Sequence, residues 1–461
     1  MKHVTVAMAD MIDSNDTESA VFLTAKDFRS ITWGNEGNTM PSSISRRSFL
    51  SATAATGFLA ALAQGDEHKK KRVAFLGTEV RTFSHAQHFL DRLTQGYPWG
   101  GQHRAPRVEV ASVYIDQFPE GDLAKGRIAK HRLRQFPTVE EALTLGGSKL
   151  DVDGVVIIAE HGDYPTNQKG QKRYPRYDWF KKTVKVFEDS DRSVPVFNDK
   201  HLSTKWDECV EMVEDSQRLD FAFLAGSSLP VTWRLPSIDM PYGAKLSESA
   251  CVAYGGKDSY DIHALETAQC MSERRAGGEV GIRSVHALKD NAFWDELAKP
   301  EREISRRLVV SALSRSHNLP VEGGYPTAPV TFEWAREALP ETLGYLVEHD
   351  DGFRTTMVLT DIRDFNYAGY RTDTDEIVSC QMYLPMPGRG STTADFFHPL
   401  TDHIETLIIE NRAPYPVERT LLTSGMVIAG INSIHQGYVP IQTPEMKISY
   451  QAPRESLFWR T

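Results

Sequence analysis

Four cysteines in 461 residues, Cys209, Cys251, Cys270 and Cys380, are too few and too far apart for a disulfide scaffold. None forms a C-x-x-C pair, so the usual zinc signature is missing and no metal ligand is assigned. Cys209 and Cys270 fall in helix-like patterns, where a buried unpaired thiol is expected. No apolar run approaches the roughly 20 residues needed to cross a bilayer, which excludes an integral membrane segment from the mature chain. Basic excess is lacking too: 52 Lys and Arg face 62 Asp and Glu, a formal net charge of −10. That balance argues against nucleic acid or an anionic membrane as the main partner. Internal repeats and low-complexity segments are also missing. What remains is ordinary for a soluble globular chain, 40% hydrophobic and 25% charged, and long enough for two or three domains with sizeable cores.

The N-terminal stretch SISRRSFLSATAATGFLAALAQG places Arg46 and Arg47 before Phe49 and Leu50 and a mildly apolar run of small residues. It ends in a small-x-small pattern at Ala61-Leu62-Ala63. This resembles a twin-arginine export signal and is set apart from the fold, at 40–66. Export by this route implies a periplasmic protein that folds, often around a cofactor, before it crosses the membrane. Translation is expected to start at Met40, with 1–39 a disordered or artefactual extension. Residues 67–71 read as a linker.

From Arg72 strands alternate with amphipathic helices. RVAFLG, RVEVASVYI, DGVVII, SVPVFND and FAFLAG read as strands. Between them lie helices, one capped by Ser84 and one expected to be capped by Ser203. This rhythm predicts right-handed βαβ units and a doubly wound, Rossmann-like parallel sheet over 72–230. The third strand is apolar throughout, as expected for a strand buried on both faces. After Pro230 the pattern changes to connecting chain, helices and a hairpin around Asp350-Asp351-Gly352. Residues 231–461 read as an α+β domain with a mostly antiparallel open sheet, serving substrate binding and oligomerisation.

The turn after the first strand, GTEVRTFSH, stands where dinucleotide-binding proteins place G-x-G-x-x-G. Gly77 keeps the first glycine; Glu79 and Thr82 replace the others. A carboxylate facing a pyrophosphate at about 4 Å would repel it by roughly 4 kcal/mol at a surface-like dielectric, and Arg81 would offset part of this. Asp116 ends the second strand, where an acid can accept from a ribose hydroxyl, and it serves equally well as a turn residue. Glu160, His161 and Asp163 share the loop after the third strand, a ligand or metal loop or a solvated one. Lys200 follows the fourth strand at the carboxyl edge, where doubly wound folds bind ligands. His263 and Glu266 lie i, i+3 on one helix, as a base with its orienter, as metal ligands, or as structural residues.

In this order the motifs resemble the Gfo/Idh/MocA oxidoreductases, the glucose–fructose oxidoreductase and inositol dehydrogenase group. GTEVRTFSH keeps that family's first glycine and its histidine at His85. Asp116 matches its acid after the second strand. NDKHLSTKWDECVEM matches its Glu-Lys-Pro motif, with Lys200 as the lysine, Asp199 for the glutamate and His201 for the proline. SYDIHALE matches its D-x-G-x-H-x-x-D helix, with His263 as the histidine and Glu266 as the last acid. The likeness covers about 70–450. It implies NAD- or NADP-dependent hydride transfer at a sugar or polyol hydroxyl, with His263 as acid/base and Lys200 supporting it. It further implies that Gly77, Glu79, Thr82, Asp116, Glu160 and His161 face the cofactor, and that Asp163 and Glu266 face the carbohydrate. Homodimers or homotetramers through the open sheet face of the second domain are implied as well. The lost glycines leave two alternatives from other classes: a carbohydrate-binding protein on a retired dehydrogenase fold, and a non-redox lyase or hydrolase, metal-assisted or not.

Overall fold

The computed structural model describes residues 69–319, 330–384 and 394–458. The expected export signal and the extension before it lie outside the described residues. From Lys69 the described chain forms one compact unit that holds two large sheets.

The first sheet is wholly parallel. Its strands are β1 (Lys71–Gly77), β2 (Val108–Ile115), β3 (Gly154–Ile158), β4 (Val196–Asp199) and β5 (Phe223–Gly226), in the order β2-β1-β3-β4-β5. Lys71 belongs to β1 rather than to the linker. The strand order reverses between β1 and β3, which makes the carboxyl ends of those two strands the switch point of the sheet. Every residue of β3 is buried, because helices cover both faces. Val155 and Ile157 face a cluster with Val139, Phe180 and Met212. These come from helices α3 (Val139–Thr144), α4 (Arg176–Ser190) and α5 (Trp206–Arg218), the first two preceded by α2 (Ala124–His131). Val156 and Ile158 face Phe89 of α1 (His85–Gln95) and Ile404 and Ile408 of a helix from far down the chain, α10 (His398–Glu410). A Cβ on Gly154 would stand 2.7 Å from Ile408, so α10 seats directly on β3 through that glycine. Ser84 caps α1 as expected, accepting from the Gln87 amide. The cap of α5 is corrected: the N-cap position falls on Lys205, and Ser203 accepts from the Lys205 amide while bonding Glu208.

The second sheet has eight strands: β6 (Arg234–Leu235), β7 (Leu246–Tyr254), β8 (Ile282–Lys289), β9 (Leu343–His349), β10 (Arg354–Thr360), β11 (Phe365–Arg371), β12 (Glu376–Met382) and β13 (Ile441–Gln442). Their order is β13-β8-β9-β10-β7-β11-β12-β6, and every pairing is antiparallel except β10 with β7. The β9–β10 hairpin turns at the expected place, with Gly352 at φ +84°. Side chains alternate between two buried faces. Cys251, Ala253, Tyr345, Val347 and Met357 pack under α6 (Asp261–Ser272) and α11 (Glu418–His435). Ala250, Val252, Leu346 and Val358 pack under α7 (Asp290–Leu297), α8 (Glu303–Leu313) and α9 (Phe332–Ala338). This corrects the expectation of a face left free for subunit contact: the chain covers it with its own helices. All four cysteines are buried and unpaired.

Candidate active site

The carboxyl edge of the first sheet faces α6 across a cavity of about 440 Å³. Of the residues singled out in the sequence, Thr82, Glu160, His161, Lys200 and His263 line it. Glu160, directly after β3, is the centre. Its carboxylate pairs with the Lys200 ammonium, accepts from His161 Nε2 at 2.6 Å, and lies 3.4 Å from His85 Nδ1. His161 Nδ1 takes a hydrogen bond from Arg81 Nη2 at 2.7 Å; because arginine only donates, His161 must carry its proton on Nε2, toward Glu160. Burial by itself would raise the Glu160 pKa, but His85, Lys200 and His161 together hold it well below the usual carboxylate range. Lys200 is the mirror case. Burial would lower its pKa, yet Glu160 and Asp199 keep it above the ordinary lysine value, so the ammonium is fixed in place and charged.

The backbone positions this pair. His161 and Lys200 each leave the end of a strand at φ +64°, a left-handed conformation that side chains rarely adopt. Lys200 is pinned there by its amide, which donates to Gly226 O at 3.1 Å. Strain of this kind persists only where the surroundings over-determine it, and here two neighbouring strand ends do so.

His263 enters from α6. Its ring centroid is 6.2 Å from that of His85, and its flanks rest on Tyr260 and Phe365. Burial first, then the charges of Lys200 and His85, keep its pKa well below the usual histidine value, so the imidazole is neutral and one ring nitrogen presents a lone pair. His85, the histidine that closes the turn motif, lines the cavity as well. Its Nδ1 bonds both Asp199 oxygens, at 2.8 and 3.0 Å. Coordinating atoms of His85, Glu160 and Asp199 lie within 4.8 Å of one another, a spacing compatible with a cation. The Lys200 ammonium already pairs with one of these three groups, Glu160. Arg176, at the start of α4, is a missed residue. Its signal in YPRYDWF was slight: an arginine ahead of an otherwise apolar helix face.

Other expected site residues are not in the cavity. Glu266 is fully buried and bound by the amide and hydroxyl of Ser227, which corrects its assignment to substrate. Asp163 is exposed and held through its backbone by Gln117. Asp116 is exposed and already accepts from the hydroxyls of Tyr114, at 2.6 Å, and Tyr164. Gly77 serves packing: a Cβ there would lie 3.1 Å from Ile115 and 3.2 Å from Phe75. Glu79 is buried and paired with Arg81 at 3.4 Å.

The turn after β1 is a longer loop than a dinucleotide fingerprint makes, since α1 starts only at His85. Its amides are largely engaged by the chain itself. Thr78 N donates to Ile158 O, Arg81 N to Ser84 Oγ, Phe83 N to Gln87 Oε1 and His85 N to Glu160 Oε1. A glycine cradle of free backbone donors is therefore not what this turn provides.

No protein-family model matches the chain, and no curated protein matches it. Its structural neighbours include inositol dehydrogenases. Myo-inositol dehydrogenase from Lactobacillus casei in complex with NAD(H) and myo-inositol is 9% identical, covers 84% of this chain and 99% of its own, and gives a TM-score of 0.48. GenD2 from gentamicin A biosynthesis in complex with NAD is 11% identical, with 82% and 97% covered and a TM-score of 0.49. A probable dehydrogenase from Thermotoga maritima is 11% identical, with 81% and 100% covered and a TM-score of 0.47. Likenesses this loose transfer no substrate, cofactor or residue role.

Proposed function

We propose that the protein is an oxidoreductase moving hydride between NAD or NADP and a hydroxyl-bearing carbon of a sugar or polyol, working after export with its cofactor retained. The observation that carries this reading is one cavity, at the switch point of a parallel sheet, that holds a neutral buried histidine and a lysine kept charged. His263 takes the hydroxyl proton. Lys200 stabilises the negative charge that builds on the substrate oxygen, and Glu160 keeps that ammonium charged and in position. His85, oriented by Asp199, packs beside His263 and restricts water at the same wall.

The residues fit the cofactor at its reacting end, where Thr82, Glu160 and His161 line the cavity with the apolar rings of Phe83 and Phe397. When bound, the nicotinamide supplies the hydride acceptor. Its diphosphate would rest on the exposed Arg81 side chain, given that the Thr78, Arg81, Phe83 and His85 amides are already engaged. The burial of Glu79 against Arg81 removes the repulsion a carboxylate at the second glycine position would otherwise impose. The export part of the proposal rests on Arg46, Arg47 and the small-residue run after them. A cofactor recycled within the site suits a compartment without a free nucleotide pool.

Mass spectrometry of small molecules released by denaturing the folded protein tests this, with NAD or NADP the expected species. No released nucleotide, together with no nucleotide binding by calorimetry, would overturn it. The engaged loop amides and the occupied Asp116 favour a second reading, a carbohydrate-binding protein without nucleotide. Turnover abolished by His263→Ala separates the two, since that second reading allows no turnover.

A further inference from the structure

The wall of the cavity next to Lys200 holds a buried arginine without a counter-ion. Arg176 is 3% exposed. Its Nη1 donates to His201 Nε2 at 3.1 Å, its guanidinium lies 5.0 Å from the Tyr174 ring centroid, and its Nε has no hydrogen-bond partner. Among the described residues no carboxylate oxygen lies within 4.0 Å of it. Burying a guanidinium unpaired is costly, and proteins normally match one with a carboxylate. The other cations at this cavity are matched: Lys200 by Glu160, and Arg81 by Glu79. Burial pushes the Arg176 pKa below the ordinary arginine value, and the more distant charges of Asp199, Glu160 and Asp258 only partly oppose this. Asp258 lines the same cavity: its Oδ2 accepts from the Lys172 amide at 2.8 Å, and its Oδ1, beside the Gln171 side chain, is buried without a hydrogen-bond partner of good geometry.

We infer that Arg176 receives the carboxylate of a polyhydroxy acid, a uronic or aldonic acid, whose hydroxyl groups are read by Asp258. This rests on the oxidoreductase reading of the same cavity and narrows its substrate from sugars in general to sugar acids. Among the described residues Arg176 is the lining cation with no carboxylate oxygen within 4.0 Å, and a ligand carboxylate would supply one. A phosphate monoester carries nearly two negative charges at neutral pH, and the neighbouring lining cation, Lys200, is already paired with Glu160. The planar fork of the guanidinium also fits a carboxylate in two parallel hydrogen bonds. Asp258 adds selectivity, because an analogue lacking the matching hydroxyl leaves that oxygen buried and unpaired.

The test is calorimetric binding of glucuronate, galacturonate and gluconate to the full chain, beside glucose, galactose and glucose 6-phosphate, for wild type, Arg176→Gln and Arg176→Lys. At least one acid is expected to bind about 10- to 100-fold more tightly than its neutral counterpart, the range a charge-assisted hydrogen bond supplies. Arg176→Gln should erase that preference and Arg176→Lys should restore part of it; circular dichroism and unliganded thermal melting confirm that each variant is folded. Equal affinity for acids and neutral sugars, or an acid preference unchanged in folded Arg176→Gln, overturns the inference. Tighter binding of glucose 6-phosphate than of every acid overturns the carboxylate assignment in favour of a phosphate group. Loss of nucleotide binding in Arg176→Gln with acid binding intact also overturns it, assigning the arginine to the cofactor. Acid binding without any turnover would leave Arg176 as inferred and sink the oxidoreductase reading instead.

Discussion

Replacing Glu160 by Gln tests the site's central electrostatic claim. The substitution keeps shape and volume, and the new amide oxygen can still accept from His161 Nε2, so packing is largely unchanged. What is lost is the negative charge beneath Lys200. Glu160 is 2% exposed and the Lys200 side chain 14%, so solvent screens the pair little. Removing one partner of a buried ion pair typically costs about 3–5 kcal/mol, because the remaining charge stays buried uncompensated. Asp199 still favours the ammonium, which places the expectation at the lower end, about 3 kcal/mol. The pH dependence follows from the shifts. The Glu160 pKa is depressed on folding, so its contribution is present above the unfolded value of roughly 4.3 and is lost as pH falls through the folded value. The Lys200 pKa is raised, so its contribution is complete below the unfolded value of roughly 10.4 and is lost as pH rises through the folded value. The difference between wild type and variant should therefore be largest between about pH 4.5 and 10 and shrink on either side. Urea unfolding at pH 4, 7 and 10 measures it. A variant within about 1 kcal/mol of wild type at pH 7 would refute the claim that this pair is buried and mutually dependent.

Further expectations concern residues on both sides of the cavity. Burial raises the Glu266 carboxyl to about 7, so the folded state holds its proton where the unfolded state has released it. Wild type should then lose stability relative to Glu266→Gln as pH rises from about 4.5 to 7, by about 3 kcal/mol in all, read by urea midpoints; a flat difference would contradict the burial argument. Ligand binding should survive Glu266→Gln, since that carboxyl serves Ser227. The low pKa of His263 predicts a kcat/KM for hydroxyl oxidation that holds below pH 6.5, whereas a decline centred on 6.5 would mean that the base is an ordinary exposed histidine. Gly226→Ala places a Cβ 2.4 Å from Glu266 Oε1 at a φ of +119°. Strain and overpacking together should cost about 2–5 kcal/mol in thermal or chemical unfolding, and a neutral effect would place the Glu266 carboxylate elsewhere.

The alternation of strands and helices over the first sheet was readable because each strand is built around a short apolar core and is followed by an amphipathic stretch. Two central strands of the second sheet were not. Leu246–Tyr254 carries Ser, Glu and Ala, and Phe365–Arg371 carries Asn, Ala and Gly, residues of weak strand preference that become strands because both of their faces are covered. The helices over the outer face were likewise unforeseen as a cover, and with them went the free face for subunit contact. Within the site, Lys200 and His263 were legible as motif letters. Glu266 followed from the same motif and failed, because helical spacing says which residues share a face and nothing about which neighbour reaches them first.

By itself the sequence determined the parallel sheet, its carboxyl edge as the place for a ligand, and the residue types arriving there, since these follow from local periodicity and chain order. Only the tertiary structure decided the charges. It placed Glu160 under Lys200, turned Asp116 toward two tyrosines, tied up most of the loop amides and left Arg176 without a close carboxylate. Each outcome depends on contacts between residues distant in sequence, and burial sets their energies, so no local pattern in the sequence could record them.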